Sequence, residues 1–238
     1  MHMIISIVST KGGQGKSTLA LCLAYSKTFS KAFGSIALVE MDKQGTLKSW
    51  YLESDAEKNN GVSFTHLVEK NKSVVVDTLT DLIKRNDLVI MDVVGEGIGG
   101  VYTQLATRLS DVCIIPMRSS VNDEASFYDG LNPVIQASIK EKPKRSKDTF
   151  YLLPTFIHPS SNPKKIKDYF EAVIPKYVKV LPCCFFHRSV FDYYNADGAT
   201  LPEFVASSKS NKRENEKAKQ ANADIENIAK TIIKEGKI

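Results

Sequence analysis

Residues 9–18 have the sequence Ser-Thr-Lys-Gly-Gly-Gln-Gly-Lys-Ser-Thr, whose glycines, lysines and hydroxyls suit phosphate chemistry. Glycines let a backbone curl until its N–H groups point inward at phosphate oxygens. Lys16 is placed to reach the β- and γ-phosphates of a nucleotide, and Ser17 to put its hydroxyl on Mg²⁺. Apolar runs on both sides predict a strand, a glycine-rich turn and a helix whose positive dipole end faces the turn. A second lysine, Lys11, opens the turn and is the unusual part of the motif.

Two aspartates follow apolar runs at positions where a metal ligand is expected. Asp92 closes the run 87–91, and a carboxylate there is the usual partner of Mg²⁺ in a phosphate-loop enzyme. The alternative is a strand-end aspartate that faces solvent or caps a helix. Asp42 leaves the run 35–41 and is expected to orient the attacking water, to bind Mg²⁺ through water, or both. Glu40 lies one strand step earlier and either assists Asp42 or pairs with a lysine at the edge of the core.

Four glycines fall within residues 95–100, directly after Asp92. This composition predicts a segment that is able to move, either as a switch that senses the γ-phosphate or as a plain flexible connection. The place directly after the metal aspartate favours the switch.

The elements that would position these residues alternate along the chain. Apolar runs predict strands at 3–9, 35–41, 87–91, 112–116, 149–157 and 177–181. Helices are predicted at 16–31, 46–58 and 72–85, and from after residue 116 to about 140. Asn162 as a cap followed by Pro163 predicts a helix to about 173, and two further helices are predicted before the end. The alternation predicts an α/β fold over residues 1–238, one P-loop domain with a doubly wound, mostly parallel sheet and helices on both faces. Ligands bind at the carboxyl ends of such strands, so Lys11, Asp42 and Asp92 are expected to converge on one site.

Composition narrows the class of protein. The chain has 238 residues, 42% of them hydrophobic and 25% charged, as in an ordinary globular protein. No apolar run approaches the roughly 20 residues of a spanning helix. The chain enters its first strand at once, so we expect no signal peptide and a cytoplasmic location. The cysteines lack metal-ligand spacing and are expected to be reduced core thiols: Cys22, Cys113, Cys183 and Cys184.

Several motifs together resemble one family. Residues 11–18 resemble the deviant Walker A motif of the MinD/ParA ATPases. Residues 42–45 with Trp50 resemble the Asp-Pro-Gln segment of ParA partition proteins, and residues 110–116 their Ser-Asp-x-x-Ile-x-Pro strand. His187-Arg188 and the later Ala196-Asp197-Gly198 resemble a further family pattern. The similarity covers nearly the whole chain and is closest to the small ParF-like subtype without an N-terminal helix-turn-helix domain.

The resemblance implies an ATPase that acts as a nucleotide switch. ATP joins two such monomers, and the signature lysine, here Lys11, reaches the partner's phosphates. The homodimer would bind double-stranded DNA without sequence preference over the nucleoid. A ParB-like or other cargo adaptor protein would stimulate slow hydrolysis, and repeated release and rebinding would position or segregate plasmid, chromosome or other cargo. The implied catalytic residues are Lys11, Lys16 and Asp42; the implied Mg²⁺ ligands are Ser17, Asp42 and Asp92; the implied ATP contacts are Lys11, Gly12, Gly13, Gln14, Gly15, Lys16, Ser17 and Thr18.

Three positions depart from the family pattern. Lys43 replaces the family's proline, Glu40 replaces its common aspartate, and Gly95 stands where many members have proline. These changes leave every group that the chemistry needs, and they bear on the geometry of the switch segments.

Basic residues form three groups, at 140–147, 164–167 and 209–219. Composition alone favours solvated surface. The resemblance instead favours sequence-independent phosphate contacts for the late group and for Arg188. The DNA-binding candidates are Arg188, Lys209, Lys212 and Arg213.

Two other functions are open. A MinD-like positioning ATPase would use its last helix, with Ile225, Ile228, Ile232 and Ile233 on one face, to bind a membrane surface. Docking of that face on the sheet is favoured because the stripe lacks Phe, Trp and Leu, so no stable membrane insertion is expected. A ligase or iron–sulfur reductase on the same fold is the other alternative; the reductase would need paired cysteines near a dimer axis.

Overall fold

The computed structural model describes residues 2–54, 61–69, 71–95, 100–141 and 149–237. Strands and helices alternate along the chain. They are β1 (Met3–Ile7), α1 (Lys16–Ala24), α2 (Lys27–Ala32), β2 (Ile36–Met41), α3 (Thr46–Glu53), β3 (Val62–His66), α4 (Lys72–Arg85), β4 (Leu88–Val93), α5 (Val101–Leu109), β5 (Val112–Met117), α6 (Val121–Ser126), α7 (Asn132–Glu141), β6 (Phe150–Ile157), α8 (Pro163–Val173), β7 (Lys179–Val180), β8 (Phe185–Phe186), α9 (Leu201–Ser207) and α10 (Lys212–Glu235). A π-helical segment (Phe127–Leu131) joins α6 to α7.

The eight strands form one sheet in the order β3-β2-β4-β1-β5-β6-β7, with β8 paired to β6. All of the described pairings are parallel. The central strand β1 lies between β4 and β5, so the loop that follows it emerges at the middle of the carboxyl edge. The predicted α/β fold with a parallel sheet is confirmed.

Alternate strand residues supply two separate cores. One contains Ile5, Ile7, Leu38 and Ile90 and packs under α1, α2, α3 and α10. The other contains residues of the opposite parity, such as Val39 and Met91, and packs under α4, α5, α7 and α8. Burial on both faces explains why these strands are almost continuously apolar.

Most predicted elements match the structure, and two corrections are needed. The predicted helix 16–31 is two helices, because the Ser26 side chain accepts from the N–H of Phe29 and starts α2 afresh. The strands β3 and β8 and the helix α5 were not predicted. Helix α3 covers the first part of the predicted helix 46–58. Residues 55–58 of that helix lie outside the described residues.

The last helix docks on the protein. Ile225, Ile228 and Ile232 are buried in the first core, and Ile233 packs against it, as the sequence favoured. No helix among the described residues has the length and apolar character to cross a membrane.

Candidate functional site

The loop between β1 and α1 has the backbone of an anion cradle. Gly13 and Gly15 have φ of 70° and 76°, a left-handed conformation in which a side chain is strained. Gly15 is also the N-cap of α1 and brings no side chain to the N–H groups of the first turn. These donors and the helix dipole therefore remain available to a phosphate.

Lys16 lies inside this cradle with only 8% of its surface exposed. Its Nζ donates to Ser9 Oγ and to the carbonyl oxygen of Lys11, each at 3.2 Å. Burial lowers the pKa of Lys16, while the carboxylates of Asp92 and Asp42 act to raise it. Lys16 therefore lies close enough to both carboxylates for their charges to act on it. Lys11, which was predicted to converge with Asp42 and Asp92, contacts Asn122 and Asp123 instead.

Asp92 lies at the base of the cradle and is 1% exposed. Neither carboxylate oxygen has a partner of good hydrogen-bond geometry within the described residues. Burial raises the pKa of Asp92 to about 6, and the Ser17 hydroxyl and the Lys16 ammonium oppose that rise. A buried carboxylate without a donor, beside a serine hydroxyl, suits a hard cation such as Mg²⁺. The solvent-facing alternative for Asp92 is wrong, because the residue is buried.

Asp42 begins a tight turn between β2 and α3 and is partly exposed. Its Oδ1 accepts from the N–H of Gln44 at 2.9 Å, and its carbonyl accepts from the N–H of Gly45 at 3.2 Å. The second carboxylate oxygen is thereby left for water or a ligand in the described part of the site.

Glu40 does not pair with a lysine in the described part of the chain. It is fully buried and accepts from two backbone N–H groups at the start of α3, those of Leu47 at 2.8 Å and Lys48 at 3.0 Å. The N-cap of this helix is Gly45, which has no side chain to do so. Glu40 of β2 is therefore the cap of α3, a role that neither sequence interpretation contained.

Lys11 is folded back on its own subunit. Its Nζ donates to the carbonyl oxygen of Asn122 at 2.6 Å and to Asp123 Oδ1 at 3.2 Å, with 38% of the side chain exposed. Gln14 Nε2 donates to the same Asp123 oxygen at 3.2 Å. The sequence analysis did not identify Asp123. The local signal that could have found it is Ser120, three residues earlier, whose hydroxyl caps α6 by accepting from the N–H of Asp123.

The loop is also fastened to the π-helical segment. The Thr10 hydroxyl lies 2.6 Å from Ser126 Oγ and donates to the Ser126 carbonyl oxygen at 3.1 Å. A Cβ atom at Gly130 would meet Thr10 Cγ2 at 2.5 Å. The loop and the segment thus touch at a point where a larger residue would force Thr10 or the segment to shift. π-Helical turns concentrate at functional sites.

Gly95 presses on the backbone of Lys11. A Cβ atom at position 95 would lie 3.0 Å from both the carbonyl carbon and oxygen of Lys11. A proline here would require that contact to open, which gives a physical reason for the departure from the family pattern. Residues 96–99 of the predicted switch lie outside the described residues.

An aromatic cleft adjoins the first turn of α1. It is lined by Gly15, Thr18, Phe156, Phe185, Phe186, His187, Arg188, Phe191 and Asp192. Phe156 has a φ of 55°, an outlier for a bulky side chain. The Arg118 guanidinium lies 3.7 Å above its ring and donates to the carbonyl oxygen of Gly13 at 2.5 Å. Sequence reasoning missed both residues, since neither belongs to a motif.

The DNA-binding candidates differ in accessibility. Lys209, Lys212 and Arg213 are exposed around the start of α10. Arg188 instead forms an ion pair with Asp224 and donates to Gln220 at 2.9 Å, with 19% of its side chain exposed. Lys164 and Lys165 are exposed on α8, while residues 142–148 of the first basic group lie outside the described residues.

Comparisons with known proteins agree with this geometry. A family model described as the CobQ/CobB/MinD/ParA nucleotide binding domain matches residues 5–236. No curated protein matches the chain. The structure of apo McdA from Cyanothece is similar with a TM-score of 0.64 and 15% identity, over 92% of this chain and 98% of that one.

Two further structures contain ligands. A plasmid partition protein from Borrelia burgdorferi B31, bound to AMPPNP, is similar with a TM-score of 0.62 and 18% identity, over 94% of this chain and 98% of that one. Cobyrinic acid a,c-diamide synthase from Mycobacterium smegmatis, with bound ADP and magnesium, is similar with a TM-score of 0.51 and 16% identity, over 68% of this chain and 77% of that one.

Proposed function

The chain belongs to the CobQ/CobB/MinD/ParA nucleotide-binding domain family, and from that membership we propose that it is a ParA-type ATPase that dimerises with ATP and positions cargo on DNA. The proposed protein is a single P-loop ATPase domain over residues 1–238. The observation that carries the proposal is the pair of lysines in one cradle, because Lys16 lies buried inside it while Lys11 lies at its rim.

The cradle residues would hold the triphosphate. The N–H groups of residues 12–18 bind its oxygens, and Lys16 adds a charge that burial strengthens. Mg²⁺ would be held by Ser17 and Asp92, with Asp42 through water, and would neutralise charge on the β- and γ-phosphates. Asp42 would orient the attacking water. General-base strength is not required, since phosphoryl transfer depends mainly on positioning and charge. The aromatic cleft beside Gly15 would take the nucleoside, with Phe156 as a stacking surface.

Lys11 would complete the site of a second copy. In the described structure its ammonium neutralises Asp123 and does not reach the centre of its own cradle. A lysine at the rim can exchange that surface contact for a phosphate of a facing subunit, where it would stabilise charge as an arginine finger does elsewhere.

The exposed start of α10 would contact DNA. Within the described residues, no ion pair with a carboxylate involves Lys209, Lys212 or Arg213. Arg188 is less suited to this role, because Asp224 already holds it. A cargo adaptor protein would then stimulate hydrolysis and release the dimer from the nucleoid. A membrane-binding role for α10 is disfavoured, since its apolar face is docked.

The test compares Lys11→Ala with Lys16→Ala. Loss of Lys16 removes a group that would contact bound phosphate, so nucleotide binding should fall by at least about tenfold. Loss of Lys11 should leave monomer binding nearly unchanged and abolish ATP-dependent dimerisation, measured by light scattering with ATP and with ADP. Lys72→Ala, an exposed lysine on α4, is the matched charge control. The proposal is wrong if Lys11→Ala retains both ATP-dependent dimerisation and DNA-stimulated turnover.

A further inference from the structure

Three titratable residues form one row across the sheet. In the parallel register, Glu40 of β2 lies opposite His66 of β3 on one side and Asp92 of β4 on the other. Glu40 has the same parity as Ile36 and Leu38, which face the core under α1 and α3. The row therefore lies beneath the helix that starts at the cradle and the helix that follows Asp42.

Glu40 fixes the far end of the turn that carries Asp42. Its two oxygens hold the N–H groups of Leu47 and Lys48, so the first turn of α3 is tied to β2. The carboxylate is fully buried, and both of its oxygens are used.

His66 fixes the near end of the same turn. Its Nε2 lies 3.0 Å from the carbonyl oxygen of Asp42. A carbonyl only accepts, so Nε2 carries the hydrogen and donates it. The same nitrogen lies 3.9 Å from Glu40 Oε2, which adds electrostatic attraction and keeps the ring in the row.

We propose that His66, supported by Glu40, is a positioning residue that holds Asp42 in place for phosphoryl transfer. The inference rests on the proposed ATPase function. Residues 42–45 are clamped at both ends by side chains from strands, so the Asp42 carboxylate inherits the rigidity of the sheet. Positioning is the main contribution that a protein makes to this reaction, and a shift of about 1 Å in a group can cost about 100-fold in rate.

His66 is separate from the structural core. Its side chain is 23% exposed at the end of an edge strand, and it belongs to neither apolar cluster. Its loss is therefore expected to loosen the turn without unfolding the chain.

The experiment compares three variants of the full chain. His66→Leu removes the donor and keeps an apolar side chain. His66→Gln restores an N–H near the position of Nε2. Ser63→Ala is the matched control, because the Ser63 hydroxyl donates to the carbonyl of Ile36 at 3.4 Å, at the other end of the same strand pair. The readouts are kcat and KM for ATP hydrolysis, and amide hydrogen exchange of residues 42–48 without nucleotide.

His66→Leu should lower kcat about fivefold or more and leave KM within about twofold, since one hydrogen bond to the turn is lost. Exchange at residues 42–48 should become about fivefold faster, with the other described strands unchanged. His66→Gln should restore both values, and Ser63→Ala should change neither. The inference is overturned if His66→Leu exchanges and turns over like the parent chain, or if His66→Gln is as defective as His66→Leu. A parent chain without ATP turnover refutes the proposed ATPase instead, and the exchange data still decide whether His66 holds the turn.

Discussion

Replacing Gly130 by alanine should weaken nucleotide binding by displacing the loop between β1 and α1. Gly130 lies in the π-helical segment, and a Cβ atom there would come 2.5 Å from Thr10 Cγ2 and 3.2 Å from Thr10 Cβ. Carbon atoms prefer about 3.5–4.0 Å, so the overlap with the methyl group is about 1 Å or more. Thr10 precedes the signature Lys11, and any displacement passes directly to the cradle.

Two opposing effects set the magnitude. Alanine is better than glycine in a helix by about 1 kcal/mol. Forcing an extra carbon into a closed contact costs about 1–3 kcal/mol. The difference leaves up to about 2 kcal/mol of strain. The described hydrogen bonds of the Thr10 side chain go to Ser126, and Thr10 belongs to a loop, so we expect the loop to move more readily than the helix. At the upper end of that strain, nucleotide affinity should fall by roughly 30-fold.

The assay is titration of a fluorescent ATP analogue, with the free energy of unfolding measured in parallel. Thr10→Ser provides the internal control, because it removes the clashing methyl and keeps the hydroxyl that contacts Ser126. The double variant Thr10→Ser/Gly130→Ala should recover most of the affinity lost in Gly130→Ala. The remaining 3.2 Å approach to Cβ is tight, so full recovery is not expected.

The reasoning fails if Gly130→Ala binds the analogue as the parent does. It fails equally if the double variant is as weak as Gly130→Ala, since the loss would then have a cause other than the Thr10 methyl.

Three further predictions follow from the charges and the strained backbone. Burial raises the pKa of Asp92 from 3.8 to about 6, so its contribution to stability is full below about pH 4 and is lost as the pH rises through 6. In EDTA at pH 7.5, the free energy of unfolding of Asp92→Asn should therefore exceed that of the parent by up to about 3 kcal/mol. A series of denaturant titrations at different pH values checks this. A triple variant should reduce the slope of the logarithm of the DNA association constant against the logarithm of salt concentration by up to about 3. Its substitutions are Lys209→Ala, Lys212→Ala and Arg213→Ala. A control with the same loss of charge elsewhere, Lys27→Ala/Lys31→Ala/Lys72→Ala, should leave the slope unchanged. Arg118→Ala should weaken ATP and ADP by the same factor in calorimetry and tripolyphosphate by a smaller one, because the guanidinium supports Phe156 on the nucleoside side as well as the Gly13 carbonyl of the cradle. A selective loss of ATP would contradict that placement.

Local signals explain where prediction succeeded. The helix at 72–85 was placed correctly because its apolar residues recur at helical spacing, and α8 begins at Pro163 because Asn162 caps it. The loop at 9–18 needed only its own glycines and lysines. Each of these features is decided by residues within one or two turns of each other.

Prediction failed where distant residues decide the structure. The short strand β3 is partly exposed at the sheet edge, and its apolar–polar alternation covers only five residues, too few to distinguish a strand from a loop. The break at Ser26 competes with a continuous helical pattern, and Glu226 of α10 accepts from the N–H groups of Lys27 and Thr28 to favour it. Such partners lie about 200 residues away and leave no sign in the local sequence.

The sequence by itself determined the chemistry of this protein: a glycine cradle, two lysines, a serine and two aspartates at the ends of predicted strands, in an α/β chain. Only the tertiary structure decided how those groups are held. In the folded protein Lys11 contacts Asp123, and Glu40 caps α3. Thr10 packs against Gly130, and His66 donates to the carbonyl oxygen of Asp42. The physical reason is that residue types and short spacings fix what a group can bind, whereas burial and hydrogen-bond partners come from strands and helices that meet only after folding.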